Sequence, residues 1–163
     1  MARAFRSGGP DGPVVSGYAV IFQRPDGGYG VSSVNLGEPL VQPVDVAVDA
    51  PAELGFVAAL GGPSTVPPQL IIFNRAGLPT VRGRVRLPGN PHGVAVLPGT
   101  GIAYVATDAG LCLVDGRSET LELTIPLDRG PTSIAVDPAT GVTYVGDRFE
   151  GSVTRIDTAA ILG

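Results

Sequence analysis

Apolar residues in this chain come in short runs broken by Gly- and Pro-containing punctuation, a pattern of many strands and tight turns. Three runs are led by proline: PVDVAV from Pro43, PHGVAV from Pro91 and PTSIAV from Pro131. Thirteen residues after each proline stands an aromatic-Val step, Phe56-Val57, Tyr104-Val105 and Tyr144-Val145. This is an internal repeat. Its step is 40 residues from Pro91 to Pro131 and 48 from Pro43 to Pro91, and the constant inner spacing assigns the extra eight to GGPSTVPP, Gly61 to Pro68, after the second strand. Repeats of roughly 40 residues with several short apolar strands each are the spacing of β-propeller blades.

The predicted elements follow from the same pattern. Residues 18–23 and 30–36 read as a hairpin around PDGG, whose Pro-Asp-Gly order favours a tight turn. In the later copies the first strand is GVAVL or SIAVD, the second IAYVA or VTYVG, the third LCLVD or SVTRID, and the fourth ETLELTI. In the copy from Pro43 the third and fourth strands read QLIIFN and GRVRLP. DPATG from Asp137 and PGTG from Pro98 turn the first strand into the second, with glycine supplying positive φ. Strands apolar on both faces, such as LIIF, fit sheets sandwiched between neighbouring sheets. The expected fold is all-β, with blades of four antiparallel strands and about three blades per chain. Residues 1–13, rich in Gly, Pro and Arg, are expected to be a flexible arm and residues 14–163 a partial ring.

Asp137 to Thr158, DPATGVTYVGDRFEGSVTRIDT, resembles the YVTN-type β-propeller repeat, which is related to NHL-type repeats. LPGTGIAYVATDAGLCLVD is a close copy, and DAPAELGFVAAL a degenerate one. The resemblance covers roughly residues 43–158. It implies a propeller fold and a surface-layer-like or binding role, and no shared catalytic motif. The pattern supplies about three blades, where closed propellers have about four to eight.

Composition narrows the function further. Gly (24) and Pro (16) fall between periodic runs and so read as turns rather than disorder. All 11 basic residues are Arg, against 15 acidic ones, and the net charge of −4 gives no electrostatic reason to expect a nucleic acid or an anionic membrane as partner. No apolar run has the roughly 18 residues of a membrane span, and MARAFRSGGPDGP lacks a signal-peptide core, so the chain is expected to be cytoplasmic by default. The single Cys112 excludes an internal disulfide and reads as a core filler.

Candidate chemistry is sparse. With one histidine a Cys/His zinc cluster is impossible, and neither a Gly-x-Ser-x-Gly elbow nor a phosphate loop with lysine occurs; no metal, cofactor or catalytic residue is expected. His92 follows Pro91 at the start of a first strand, where it is either a loop histidine or a channel-facing acid, base or ligand. Asp108 in TDAG and Asp147, Arg148 and Glu150 in GDRFEG occupy equivalent loops between second and third strands, on the face that also carries His92 and Asp45. That face is the candidate for ligand or partner binding, although Asp in a short turn ordinarily caps backbone amides. Asp115 and Asp157, ending third strands, are read as turn residues. Arg82, Arg84 and Arg86 alternate along an outer strand, forming either a patch for an acidic partner or a guard against edge-to-edge pairing.

The reading favoured is a non-catalytic binding or scaffold protein presenting loops of one face to a protein or small-molecule partner. The alternatives are a propeller-type hydrolase or lyase with a channel-face site, and a structural subunit of a larger assembly. At least three of His92, Asp45, Asp108, Asp147 and Glu150 clustered together would favour the enzyme. Exposed end sheets are expected to be covered by a homodimer completing a ring, with Gly30 to Leu36 supplying the missing last strand, or by the rest of a longer propeller.

Overall fold

The computed structural model describes residues 2–7, 15–23, 27–35, 41–62, 66–75, 80–127 and 130–162. The fold is all-β, as expected. Four antiparallel sheets of three, four, four and three strands succeed one another, and within each the strand order follows the chain. The first contains β1 (Ala2–Ser7), β2 (Val15–Gln23) and β3 (Tyr29–Asn35). The second contains β4 (Gln42–Asp49), β5 (Leu54–Leu60), β6 (Gln69–Asn74) and β7 (Thr80–Arg86). The third contains β8 (Pro91–Val96), β9 (Ile102–Thr107), β10 (Gly110–Asp115) and β11 (Thr120–Ile125). The fourth contains β12 (Ser133–Val136), β13 (Val142–Asp147) and β14 (Ser152–Asp157), followed by the four-residue helix α1 (Ala159–Leu162).

Two expectations are corrected. The strands expected from Tyr18 onward are present as β2 to β14, but Ala2–Ser7, read as part of a flexible arm, is a strand. A backbone ladder holds it against β2, from Ala2 opposite Val20 to Ser7 opposite Val15, and such pairing needs no side-chain period. The described residues therefore form four sheets rather than about three and a hairpin. The hairpin itself forms, with Gln23 opposite Tyr29 and Gly27 at φ 84°, while Gly8 to Pro13 and Leu36 lie outside the described residues. Gly30 to Asn35 pairs with β2, as the expected hairpin requires, and stands at the edge of its sheet.

The register shows one motif in all four sheets. An alanine on the first strand faces an aromatic on the second: Ala4–Tyr18, Ala47–Phe56, Ala95–Tyr104 and Ala135–Tyr144. The first strands pack in series, β1 on β4, β4 on β8 and β8 on β12. Ala47 packs against the Phe56 layer, whereas Ala135, beside Tyr144, is exposed.

Three apolar layers result. Phe56, Leu70 and Ile72 of the second sheet join Val94, Ala103, Val105 and Cys112 of the third. Gly116 permits this approach, because a Cβ there would lie 2.6 Å from the Phe56 ring. Between the third and fourth sheets, Tyr104, Leu111 and Leu113 meet Ile134, Val136 and Val145. On the other face of the second sheet, Val57, Ala59, Ile71 and Phe73 cluster with Val41. Phe56 and Tyr104 are fully buried, whereas Tyr144, expected to be packed alike, is 39% exposed. Among the described residues no fifth sheet follows to cover it.

Candidate functional site

The lead-ins to the first strands and the turns from second to third strands lie at the same end of the sheets, as antiparallel connection requires. His92, at the start of β8, bonds through Nε2 to Asp108 Oδ1 in the β9–β10 turn at 2.6 Å. Asn90 Nδ2 donates to the other carboxylate oxygen at 2.9 Å, and the Asp108 amide donates to the Asn90 carbonyl at 3.0 Å. The His92 bond above all, with help from Asn90, holds the Asp108 carboxyl below the usual carboxylate range, partly opposed by desolvation. His92 and Asp108 thus form a pair, while Asn90, which completes the arrangement, has only its neighbouring position as a sequence signal.

Asp45 is drawn away from this pair. Its Oδ1 accepts the Val46 amide at 2.9 Å, and its Oδ2 accepts the Val94 amide at 2.9 Å, strapping β4 to β8. The repeat places Gly93 where the second sheet has Asp45, and a Cβ at Gly93 would stand 3.5 Å from the Asp45 carboxylate. That is ordinary contact, and the tighter neighbour of such a Cβ is Ile134 Cγ2 at 3.3 Å.

Asp147 and Glu150 come together in the β13–β14 turn. Asp147 Oδ1 accepts the amides of Phe149 and Glu150 at 2.7 and 3.2 Å, so this carboxylate caps its own turn. Arg148 lies with its guanidinium carbon 4.8 Å from the Phe149 ring centroid, an exposed cation–π contact worth about 0.5–1 kcal/mol. A cleft of about 200 Å³ opens beside the turn, between the third and fourth sheets. Asp147, Glu150, Ser152 and Thr154 form its polar side, and Leu127, Val145 and two prolines the apolar side. The cleft was not legible in the sequence, because it brings the β11–β12 connection against β13 and β14.

The arginine stripe is broken. A bulge between Ile72 and Phe73 interrupts the alternation on β7. Arg82 reaches the third sheet, with Nε 3.1 Å from Glu119 and its terminal nitrogen donating to the Arg117 carbonyl at 2.9 Å. Arg84 and Arg86 remain in register opposite Ile71 and Gln69. The five acidic and histidine candidates accordingly divide into a strap, a His–Asp pair and a capped turn. Among the described residues no group of three His, Cys, Asp or Glu side chains is arranged to hold a metal ion, and no helix is long and apolar enough to cross a membrane.

The turn residues behave as turn chemistry dictates. Asp115 and Asp157 each accept an amide two or three residues ahead. Cys112 is free and buried, and burial pushes its thiol up, against hydroxyl contacts from Thr107 and Thr124. One residue carries more than its sequence suggests. Asp49, fully buried, accepts amides from Ala52, Gly99 and Gly101, joining the β4–β5 turn to the turn that opens β9. Its repeat counterpart, Asp137, binds only its own turn, Ala139 N–H at 2.9 Å and Thr140 O–H at 2.6 Å, which lowers its pKa, the Thr140 bond contributing most.

No family model matches the chain, and no curated protein matches it. Among solved structures it is similar to Kuenenia stuttgartiensis hydrazine synthase, with a TM-score of 0.65 and 19% identity over 92% of this chain. This chain spans 57% of that chain's length, and the likeness is one of fold.

Proposed function

We propose that the chain is a β-propeller built from YVTN-type repeats and that it acts by binding, with the cleft between the third and fourth sheets as its ligand seat. The propeller reading is supported by first strands that pack in series and by the Ala–aromatic register kept in four consecutive sheets. The binding reading rests on one observation, the roughly 200 Å³ cleft on the loop-bearing end. Its polar wall carries two carboxylates and two hydroxyls and no cation, while Leu127, Val145 and two prolines give an apolar wall. A small ligand bearing amine or hydroxyl donors on a compact apolar body fits that lining. The rigid sheets hold the loops, and complementarity needs no cofactor.

The separation of Asp45, the His92–Asp108 pair and the Asp147 turn favours binding over acid–base chemistry, which needs such groups convergent on one reacting atom. The test is a small-fragment screen by NMR on labelled protein. Amine or hydroxyl fragments should perturb the amides of Ser152 and Thr154, and Thr154→Trp, which fills the cleft from an exposed position, should abolish the perturbation. Hits that ignore the Trp substitution would remove the cleft from the proposal.

A further inference from the structure

The repeat provides three equivalent sheet faces, each centred on the aromatic of the second strand. Phe56 is covered by Val94, Ala103, Val105 and Cys112 of the next sheet, and Tyr104 by Ile134, Val136 and Val145 of the next. Tyr144, on the third such face, is 39% exposed, and Val153 nearby on β14 is 69% exposed. The same register that buries the first two aromatics therefore leaves Tyr144 and Val153 open, with the exposed Arg155 directly across the ladder from Tyr144.

The two covered faces specify the occupant. Each is closed by one face of an antiparallel sheet, its first three strands contributing, in which an alanine of the first strand sits opposite an aromatic of the second. The β1–β3 sheet has that frame, with Ala4 opposite Tyr18, and its first strand already packs on β4 as β4 packs on β8. The turn carboxylate agrees. Asp49 reaches across to Gly99 and Gly101 in the first turn of the following sheet, whereas the equivalent Asp137 stays on its own turn.

We propose that the Tyr144–Val153 face seats the β1–β3 sheet of a second copy of this chain, head to tail. Two such contacts about a two-fold axis join four sheets from each copy into one ring, within the range of about four to eight sheets that closed propellers use. No strand has to leave its own sheet. Loss of the contact at its centre should weaken dimerisation about 30-fold or more, as for a buried interface anchor.

Sedimentation velocity of the full chain at low micromolar concentration, with hydrogen exchange on the same samples, tests this. The unaltered chain should sediment at twice its 16.5 kDa mass. Val153→Glu, on an already exposed residue, should release a folded monomer and raise exchange in β1–β3. A folded monomer of the unaltered chain would overturn the proposal, and so would a dimer that tolerates Val153→Glu. A dimer released by that substitution with β1–β3 exchange unchanged would mean that two Tyr144 faces meet each other, which also overturns it.

Discussion

The carboxylate of Asp49 accepts the Gly101 amide at 2.9 Å across the junction of two sheets, with no exposed surface of its own. The same side chain takes Gly99 at 2.8 Å and Ala52 at 3.2 Å. A buried carboxylate is tolerable only when its lone pairs are filled, and here three amides fill them. Asp49→Ala leaves those amides without their acceptor and should lower unfolding free energy by about 3 kcal/mol or more. Asp49→Asn, which keeps one carbonyl oxygen, should lose less. Urea unfolding distinguishes them, and equal small losses would show that water replaces the carboxylate.

The repeated aromatics should differ in a graded way. Tyr104 is fully buried and Tyr144 is not, so Tyr104→Ala should cost about 3–5 kcal/mol and Tyr144→Ala in the monomer about 1 kcal/mol. No hydrogen bond of normal geometry reaches the buried Tyr104 hydroxyl, and burial pushes its pKa up, partly opposed by the neighbouring Thr158 side chain. Tyr104→Phe should therefore be neutral or slightly stabilising, because a buried unpaired hydroxyl is removed without making a cavity. A loss above about 1.5 kcal/mol for Tyr104→Phe would reveal a bond to the hydroxyl, with Thr158 the candidate partner.

Acid should loosen the His92–Asp108 corner. The folded pKa of Asp108 lies below its ordinary value, so its contribution to stability is present above the unfolded carboxylate value of about 3.9 and disappears as pH falls through the folded value. His92→Ala removes the largest cause of the lowering. In a carboxylate NMR titration the Asp108 midpoint should then move up. The stability difference between the two proteins should close at low pH, and a difference that stayed constant would locate the role of His92 elsewhere.

The thirteen-residue interval from proline to aromatic made Phe56, Tyr104 and Tyr144 legible as equivalent positions, and with them three of the four sheets. The fourth escaped because its pair is stretched. Ala4 and Tyr18 are 14 residues apart, whereas Ala47–Phe56, Ala95–Tyr104 and Ala135–Tyr144 are each separated by nine. Five extra residues, rich in glycine and proline, hide the period although the ladder restores the register. His92 and Asp108 were placed on one end of the fold by strand alternation alone. Asp49 was not, since a buried carboxylate reaching amides some 50 residues away looks in sequence like any turn aspartate.

The inserted segment Gly61 to Pro68 sits between β5 and β6, where the repeat spacing locates it, but removing it whole should not be harmless. The Pro68 carbonyl accepts the Leu87 amide at 2.9 Å, and Val66 packs against the cluster of Val57, Ile71 and Phe73. Leu87 is 2% exposed, so its amide has no ready replacement acceptor. Deleting Gly61 to Pro68 should therefore cost about 1–3 kcal/mol. Restoring only Val66, Pro67 and Pro68 should recover most of it. Urea midpoints of the two deletions decide the matter: equal stability would make the insertion a pure loop, and an unrecovered loss would shift the anchoring role to residues 61–65.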